Sequence, residues 1–300
     1  MLPVIYHPDY RVSLRSGRPH VLSKYHYVRL SLEAKGLLAP SRYFAPIEAK
    51  CTTLELAHTS EYVRRVSSLR LSNPEVRRIG LPQTARVVRR SKLTCGGTML
   101  AGWIVLETGI ACNVAGGSHH ANADYGAGFC IFNDVAVAAA GLLAQGVPPP
   151  ILVLDADVHQ GDGTARIFER DPRVFTVSLH ASKNFPARKA KSDLDVALPD
   201  GTDDKVYLEA LKTALGTVFE AIRPSLVFYN AGVDVHEADK LGRLALTSVG
   251  LRQRERLVLD ACRSRDLPVV GVLGGGYSDD PLELAARHVV LFEEASRLSI

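Results

Sequence analysis

The stretch ILVLDADVHQGDG, residues 151–163, joins an unbroken apolar run to a dense polar cluster, and its reading decides the fold. ILVLDA is short and rich in branched side chains, the pattern of a strand buried on both faces. VFTVSL (174–179), LVFYNA (226–231) and VVGVLG (269–274) repeat it, each ending in small or polar residues. CNVAGG (112–117) reads as a further strand. Helix-like stretches at 203–222 and 247–265 separate several of these strands, and 133–145 is helix-like and rich in Ala and Leu. Strands alternating with helices place the chain in the α/β class, as a three-layer α/β/α unit with a mainly parallel central sheet.

The first hundred residues are less regular. Helical character shows at 55–69 and 97–108, and Pro40, Pro46 and Pro82 punctuate the loops. Pro148–Pro150 fall between a helix and the strand at 151, where an αβ loop belongs rather than a boundary. Residues 1–300 are therefore expected to form a single domain.

Composition is that of an ordinary soluble chain, with 46% hydrophobic and 23% charged residues among 300. The net charge of +4, from 36 Lys+Arg against 32 Asp+Glu, is too small to indicate nucleic-acid binding. Arg77, Arg78, Arg86, Arg89, Arg90 and Lys92 make 76–92 locally basic, but the stretch has no aromatic residue on which a base could stack. A solvated helix face is expected there. No apolar run nears the roughly 18 residues a bilayer requires, and MLPVIYHPDYRV does not read as a signal peptide. Cys51, Cys95, Cys112, Cys130 and Cys262 form no CxxC pair, so a reducing cytoplasm is the expected setting. No membrane or nucleic-acid partner is expected, and the sequence leaves the oligomeric state open.

Chemistry collects where strands end. In open parallel sheets, ligands bind beyond the carboxyl ends of the strands. GGSHH, DADVHQGDG, NAGVDVHEAD and GGGY stand at four such ends. In DADVH, Asp155, Asp157 and His159 alternate, so extended backbone turns all three to one side. Two buried carboxylates are costly together unless a cation neutralises them. Carboxylate and imidazole donors suit zinc at an open site. A lone DxH would more often be a helix cap, whereas three such residues followed by Gly161-Asp162-Gly163 favour the metal. A third ligand must come from elsewhere: Asp234 and Asp239 both follow LVFYNAG, and spacing does not choose between them.

His119 and His120 form a doublet after two glycines, able to share removal of a proton from water and its delivery to a leaving amine. Asp155 and Asp162 are available to bond their far ring nitrogens. Gly274-Gly275-Gly276-Tyr277 lacks the Lys-Ser/Thr of a phosphate loop, and reads as a turn presenting a phenol to a developing oxyanion.

GGSHHANADYGAGFCIFNDVAVAA, VLDADVHQGDGTARIF, VSLHASKNFP, YNAGVDVHEADKLGRLALTSVG and GVLGGGY resemble, in order, the motifs of histone deacetylases and their bacterial acetylpolyamine- and acetoin-related relatives. The resemblance runs from about Gly17 to Tyr277. It is nearest to the class IV branch, through GRPH, GGTMLAG and GTDDKVYL. It implies the arginase/deacetylase fold and zinc-dependent hydrolysis of the amide of acyl-lysine or a related acylated amine. Zinc ligands are then expected at Asp157, His159 and Asp239, with Asp234 in support. His120 is expected as general base beside His119, with Asp155 and Asp162 behind the pair and Tyr277 at the oxyanion. The resemblance also implies a structural potassium ion at Asp155, Asp157, His159, Ser178 and Leu179, the last through its backbone. A second potassium site would use Phe168 and Val174, but carries Asp171 where a neutral residue is usual in some members. Phe129 and Phe185 would line a narrow acyl-lysine tunnel beside Gly128. Leu246 is expected at its gatekeeper position, where its apolar character argues against a polyamine. Ala238 departs from the Gly that commonly precedes the third ligand.

Two rivals remain at this level. A two-manganese hydrolase of the arginase type would need His119 as a metal ligand. An acyl-amine reader without turnover would keep the tunnel but lose a catalytic group, and none is lost here. Acetyl, short and long acyl groups all stay open as substrates; class IV-like members are associated with long chains.

Overall fold

The computed structural model describes residues 1–12, 22–38 and 43–299. GRPH (17–20) and Pro40 lie outside the described residues. In chain order the elements are β1 (Val4–Ile5), α1 (Lys24–Ala34), α2 (Cys51–Leu54), α3 (Ser60–Ser67), α4 (Asn73–Ile79), α5 (Ala85–Thr108) and β2 (Ile110–Asn113). They continue with α6 (Asp134–Ala144), β3 (Ile151–Asp155), α7 (Asp162–Phe168), β4 (Val174–Ala181), β5 (Leu194–Leu198) and α8 (Asp204–Ala221). The last are β6 (Leu226–Asn230), α9 (Ser248–Arg263), β7 (Val269–Val272) and α10 (Pro281–Leu298).

The strands form one sheet in the order β1-β2-β7-β6-β3-β4-β5, every pairing parallel. The helices divide into two groups: α5, α6 and α7 pack together, as do α1, α8, α9 and α10. That division yields the three-layer α/β/α arrangement expected from the strand pattern. Strands β2, β3, β6 and β7 are buried along their whole length, which is why they read as continuous apolar runs.

Several boundaries differ from the sequence reading. Strand β2 lies at 110–113 rather than 112–117, because Gly116 and Gly117 take positive φ and turn the chain out of the sheet. Helix α5 starts twelve residues before Gly97, capped by the Thr84 hydroxyl on the Val87 amide. Its mid-helix Gly96 imitates a helix start, yet it is there for space: a Cβ would lie 1.9 Å from the Ile47 carbonyl oxygen. β1 is only two residues long, inside the buried apolar stretch LPVIY (2–6), and β5 is an edge strand whose first four positions alternate half-buried and exposed.

Candidate active site and metal centre

The strand order makes β2, β7, β6 and β3 neighbours, so the four polar clusters beyond their carboxyl ends face one another. Register tightens this further. Asp155 at the end of β3 pairs with Ser178 on one side and Asn230 on the other.

The histidine loop is anchored from α6. Asp134, buried at its first turn, accepts from the amides of Gly117 (3.2 Å) and Ser118 (2.8 Å) and from the Thr98 hydroxyl (2.6 Å). Asn133 caps the helix on the Ala136 amide and donates to the Ala121 carbonyl. On the other side of the loop, His58 Nδ1 lies 2.9 Å from the Asn122 carbonyl, while its Nε2 accepts from the Asn133 amide at 3.0 Å. The imidazole is therefore the neutral Nδ1–H tautomer, and burial lowers its pKa to about 4.

So held, His119 and His120 present their Nε2 atoms to each other at 3.1 Å. Each Nδ1 meets a different carboxylate, Asp155 at 2.6 Å and Asp162 at 2.8 Å. Arg166 also bonds Asp162, and Asn230 donates to Asp155. Burial alone would lower His119, but the charges of Asp155 and Asp157 outweigh it and raise the imidazole to about 9. Burial and the charge of His119 push His120 down to about 3, against the pull of Asp162. The two neighbouring rings thus differ in basicity, His119 being the stronger base. A dication on Asp157 would cancel part of the field that raises His119.

Asp157, His159 and Asp234 bring one ligand atom each within 4.8 Å of one another, all three buried. His159 Nδ1 lies 3.0 Å from Asp157 Oδ1 and 3.1 Å from Asp234 Oδ2. The other Asp234 oxygen accepts from the Val158 amide, and Asp157 accepts from the Gly275 amide. Burial and the neighbouring Asp157 charge push the Asp234 carboxyl above the usual carboxylate range. Two carboxylates that repel in a dry pocket beside an imidazole nitrogen are the donor set that a zinc ion relieves, so the residues fit that metal.

Asp239 is not in this group among the described residues, which corrects the expectation that it completes the ligand set. Its carboxylate accepts from the amides of Leu241 (2.8 Å), Gly242 (2.9 Å) and Tyr277 (2.7 Å) instead. It thereby ties the 239–242 turn to GGGY. Spacing leaves the two aspartates of NAGVDVHEAD open and the resemblance implies the later one, whereas the turn after β6 brings the earlier one back beside β3.

Leu246 is corrected with it. It is 0% exposed, its backbone bridged to His236, so it cannot form the mouth of a tunnel. Leu241, 46% exposed, lines a cavity with Phe129 and Tyr277 instead. The Phe185 ring stands 4.7 Å from that of His120, edge to face, and Phe129 is 6.1 Å from Tyr277. Gly128 has φ +52°, and a Cβ there would come within 2.5 Å of the His120 ring. His119, His120, Gly128, Phe129, Asp157 and Tyr277 line one cavity. The Tyr277 ring lies 6.3 Å from His159; burial and the carboxylates of Asp234 and Asp157 hold its phenol protonated, well above the usual range.

Of the residues expected around potassium, Ser178 lies beside Asp155 by register and its hydroxyl is 3.0 Å from His180 Nδ1. At the second such site, the Phe168 carbonyl accepts from the Asp171 amide, and Arg173 forks onto the Asp171 carboxylate. Sequence reasoning missed Asp134, Asn230 and His58. Asn133-Asp134 ahead of an Ala-rich helix was a legible cap signal; nothing local marked the other two.

Residues 18–292 match the histone deacetylase domain model. An uncharacterized protein of Picosynechococcus sp. is 45% identical over 293 residues, 98% of both chains. A probable deacetylase of Archaeoglobus fulgidus is 30% identical, over 92% of this chain and 81% of its own. The crystal structure of an HDAC homolog complexed with SAHA superposes with a TM-score of 0.82 at 26% identity, covering 98% of this chain and 84% of that one. With the domain match spanning most of its length and a relative 30% identical over most of both chains, the chain belongs to the histone deacetylase family, whose members are deacetylase-type hydrolases.

Proposed function

We propose that this chain hydrolyses the amide of an acylated lysine side chain or a related acylated amine, using a zinc ion held by Asp157, His159 and Asp234. The observation that carries the reading is the histidine pair, each ring backed by its own carboxylate, beside the Asp–His–Asp group. When bound, zinc supplies Lewis acidity that polarises the carbonyl and eases deprotonation of water.

The chain's own groups do the rest. Asp162 fixes Nδ1–H of His120, leaving Nε2 as the base that takes the proton of the attacking water. The histidine pair holds that proton and returns it to the departing nitrogen, without which the amine would be a poor leaving group. The Tyr277 hydroxyl donates to the oxyanion. Phe129, Phe185 and Gly128 exclude water around a slender chain. Leu241 at the rim offers no carboxylate to a second ammonium, which favours acyl-lysine over an acylated polyamine.

The SAHA complex of the homolog above supports an acyl-lysine-like ligand. A structural potassium ion at Asp155, Asp157, His159, Ser178 and Leu179 is supported by the parallel register of β3 and β4. The two-manganese reading is disfavoured, because His119 spends Nδ1 on Asp155 and turns Nε2 to His120.

The test is a series of lysine peptides with lengthening acyl chains, run beside acetylated small amines on zinc-loaded protein. Release of free amine from at least one peptide is expected. No release from any of them overturns the reading.

A further inference from the structure

Helix α9 sends inward a side chain for which the chemistry above has no use. Arg254 and Glu255 are both 0% exposed, and they pair with each other at 2.6 Å. Glu255 also accepts from the Tyr229 hydroxyl at 2.6 Å. The guanidinium does more than meet its counter-ion. Its Nη1 donates to the carbonyl of Ala156 at 3.0 Å and to that of Gly232 at 2.6 Å.

Those two carbonyls belong to different loops. Ala156 stands between Asp155 and Asp157, just past β3. Gly232 stands two residues before Asp234, just past β6, and a Cβ on it would lie 2.4 Å from Asp157 Oδ2. One nitrogen therefore ties together the two loops that between them carry all three metal-binding side chains. The loops are also joined directly, by the Val158 amide on Asp234 Oδ1.

A fully desolvated ion pair is a weak source of stability, since apolar residues of similar volume often serve as well or better. Placement explains it better. The planar fork of arginine, rigid and multiply donating, suits the bridging of two fixed acceptors.

We propose that Arg254 is a positioning residue that sets the separation of the β3 and β6 loops, and through it the spacing of the Asp157 and Asp234 carboxylates. The consequence for the cation rests on the function proposed above; the coupling of the loops does not.

The test uses full-length Arg254→Met/Glu255→Gln, which removes both charges and keeps an acceptor for Tyr229, with Glu255→Gln as its control. Two quantities are read: hydrogen exchange of the Val158 amide in metal-free protein, and zinc affinity by competition with a chromogenic chelator. The double variant is expected to exchange Val158 about tenfold faster and to bind zinc roughly 10- to 100-fold more weakly. Glu255→Gln, which keeps both carbonyl bonds, is expected to shift neither by more than about threefold. Arg254→Lys keeps the charge but not the fork, and is expected to reproduce both losses at about threefold or more. It decides the question if the double variant does not fold.

Wild-type exchange and wild-type affinity in either folded Arg254 variant overturn the proposal. If wild-type protein takes up no zinc while Val158 still loosens in the variants, the metal reading falls and the clamp stands.

Discussion

The Nε2 atoms of His119 and His120 lie 3.1 Å apart while their Nδ1 atoms are held by different carboxylates, Asp155 and Asp162. Neighbouring imidazoles of one chemical type are thus driven apart in basicity by what stands behind them. His119 sits in the field of Asp155 and Asp157, whereas His120 has one carboxylate that it shares with Arg166. An acid and a base made from one residue type suit the transfer of a proton from the attacking water to the departing nitrogen.

His120→Ala removes the base and is expected to lower kcat about 100- to 10,000-fold with KM little changed. His119→Ala removes the second holder of the proton and is expected to fall in the same range. Steady-state kinetics on a cleavable acyl-lysine peptide measures both. Turnover within about threefold of wild type for His120→Ala would remove the pair from the mechanism.

Tyr277→Phe keeps the ring against Phe129 and His159 and deletes one hydroxyl. Loss of a single oxyanion donor predicts roughly a 100- to 1,000-fold drop in kcat. Binding of a non-reactive substrate analogue, followed by calorimetry, should hardly change. An unimpaired Tyr277→Phe enzyme assigns the oxyanion to other donors.

Asp234→Asn and Asp239→Asn separate the two aspartates that the sequence alone could not. Asp234→Asn is expected to lose zinc on dialysis. Asp239→Asn should keep it and lose roughly tenfold or more in kcat, because the GGGY turn loses its carboxylate anchor at the Tyr277 amide. Metal analysis of the dialysed variants decides; the reverse pattern would restore Asp239 as the ligand.

His58 makes stability depend on pH. Its folded pKa, about 4, lies below the ordinary 6.5. The unfolded chain therefore binds a proton on acidification before the folded one does, and stability is complete above about pH 6.5, declines as pH falls, and levels off near pH 4. The size is on the order of 3 kcal/mol. Urea unfolding of wild type and His58→Gln between pH 7 and pH 4 isolates it, since other groups cancel in the difference. Parallel curves for the two proteins would show that His58 does not titrate this way.

Much of this architecture was legible because buried parallel strands leave apolar runs that end in polar clusters. ILVLDADVH shows both the strand and the two candidate metal-binding side chains that follow it. What escaped the sequence is contact across the sheet. Asp234 and Asp239 are equivalent in a string, and only the return of the β6 loop toward β3 makes Asp234 the partner of Asp157 and His159. The resemblance puts Leu246 at the tunnel mouth, yet the segment after β6 buries it and leaves Leu241 exposed. Arg254, 98 residues from Ala156, has no local signature at all.

The central claim is that one zinc ion, gripped by Asp157, His159 and Asp234, enables amide hydrolysis. Metal analysis coupled to activity on a single preparation, first stripped by chelator and then titrated with zinc, addresses it most directly. Activity on an acyl-lysine peptide should vanish on stripping and rise linearly to a plateau at one zinc per chain. Full turnover by the stripped protein, or a plateau reached only with two manganese ions per chain, would contradict it.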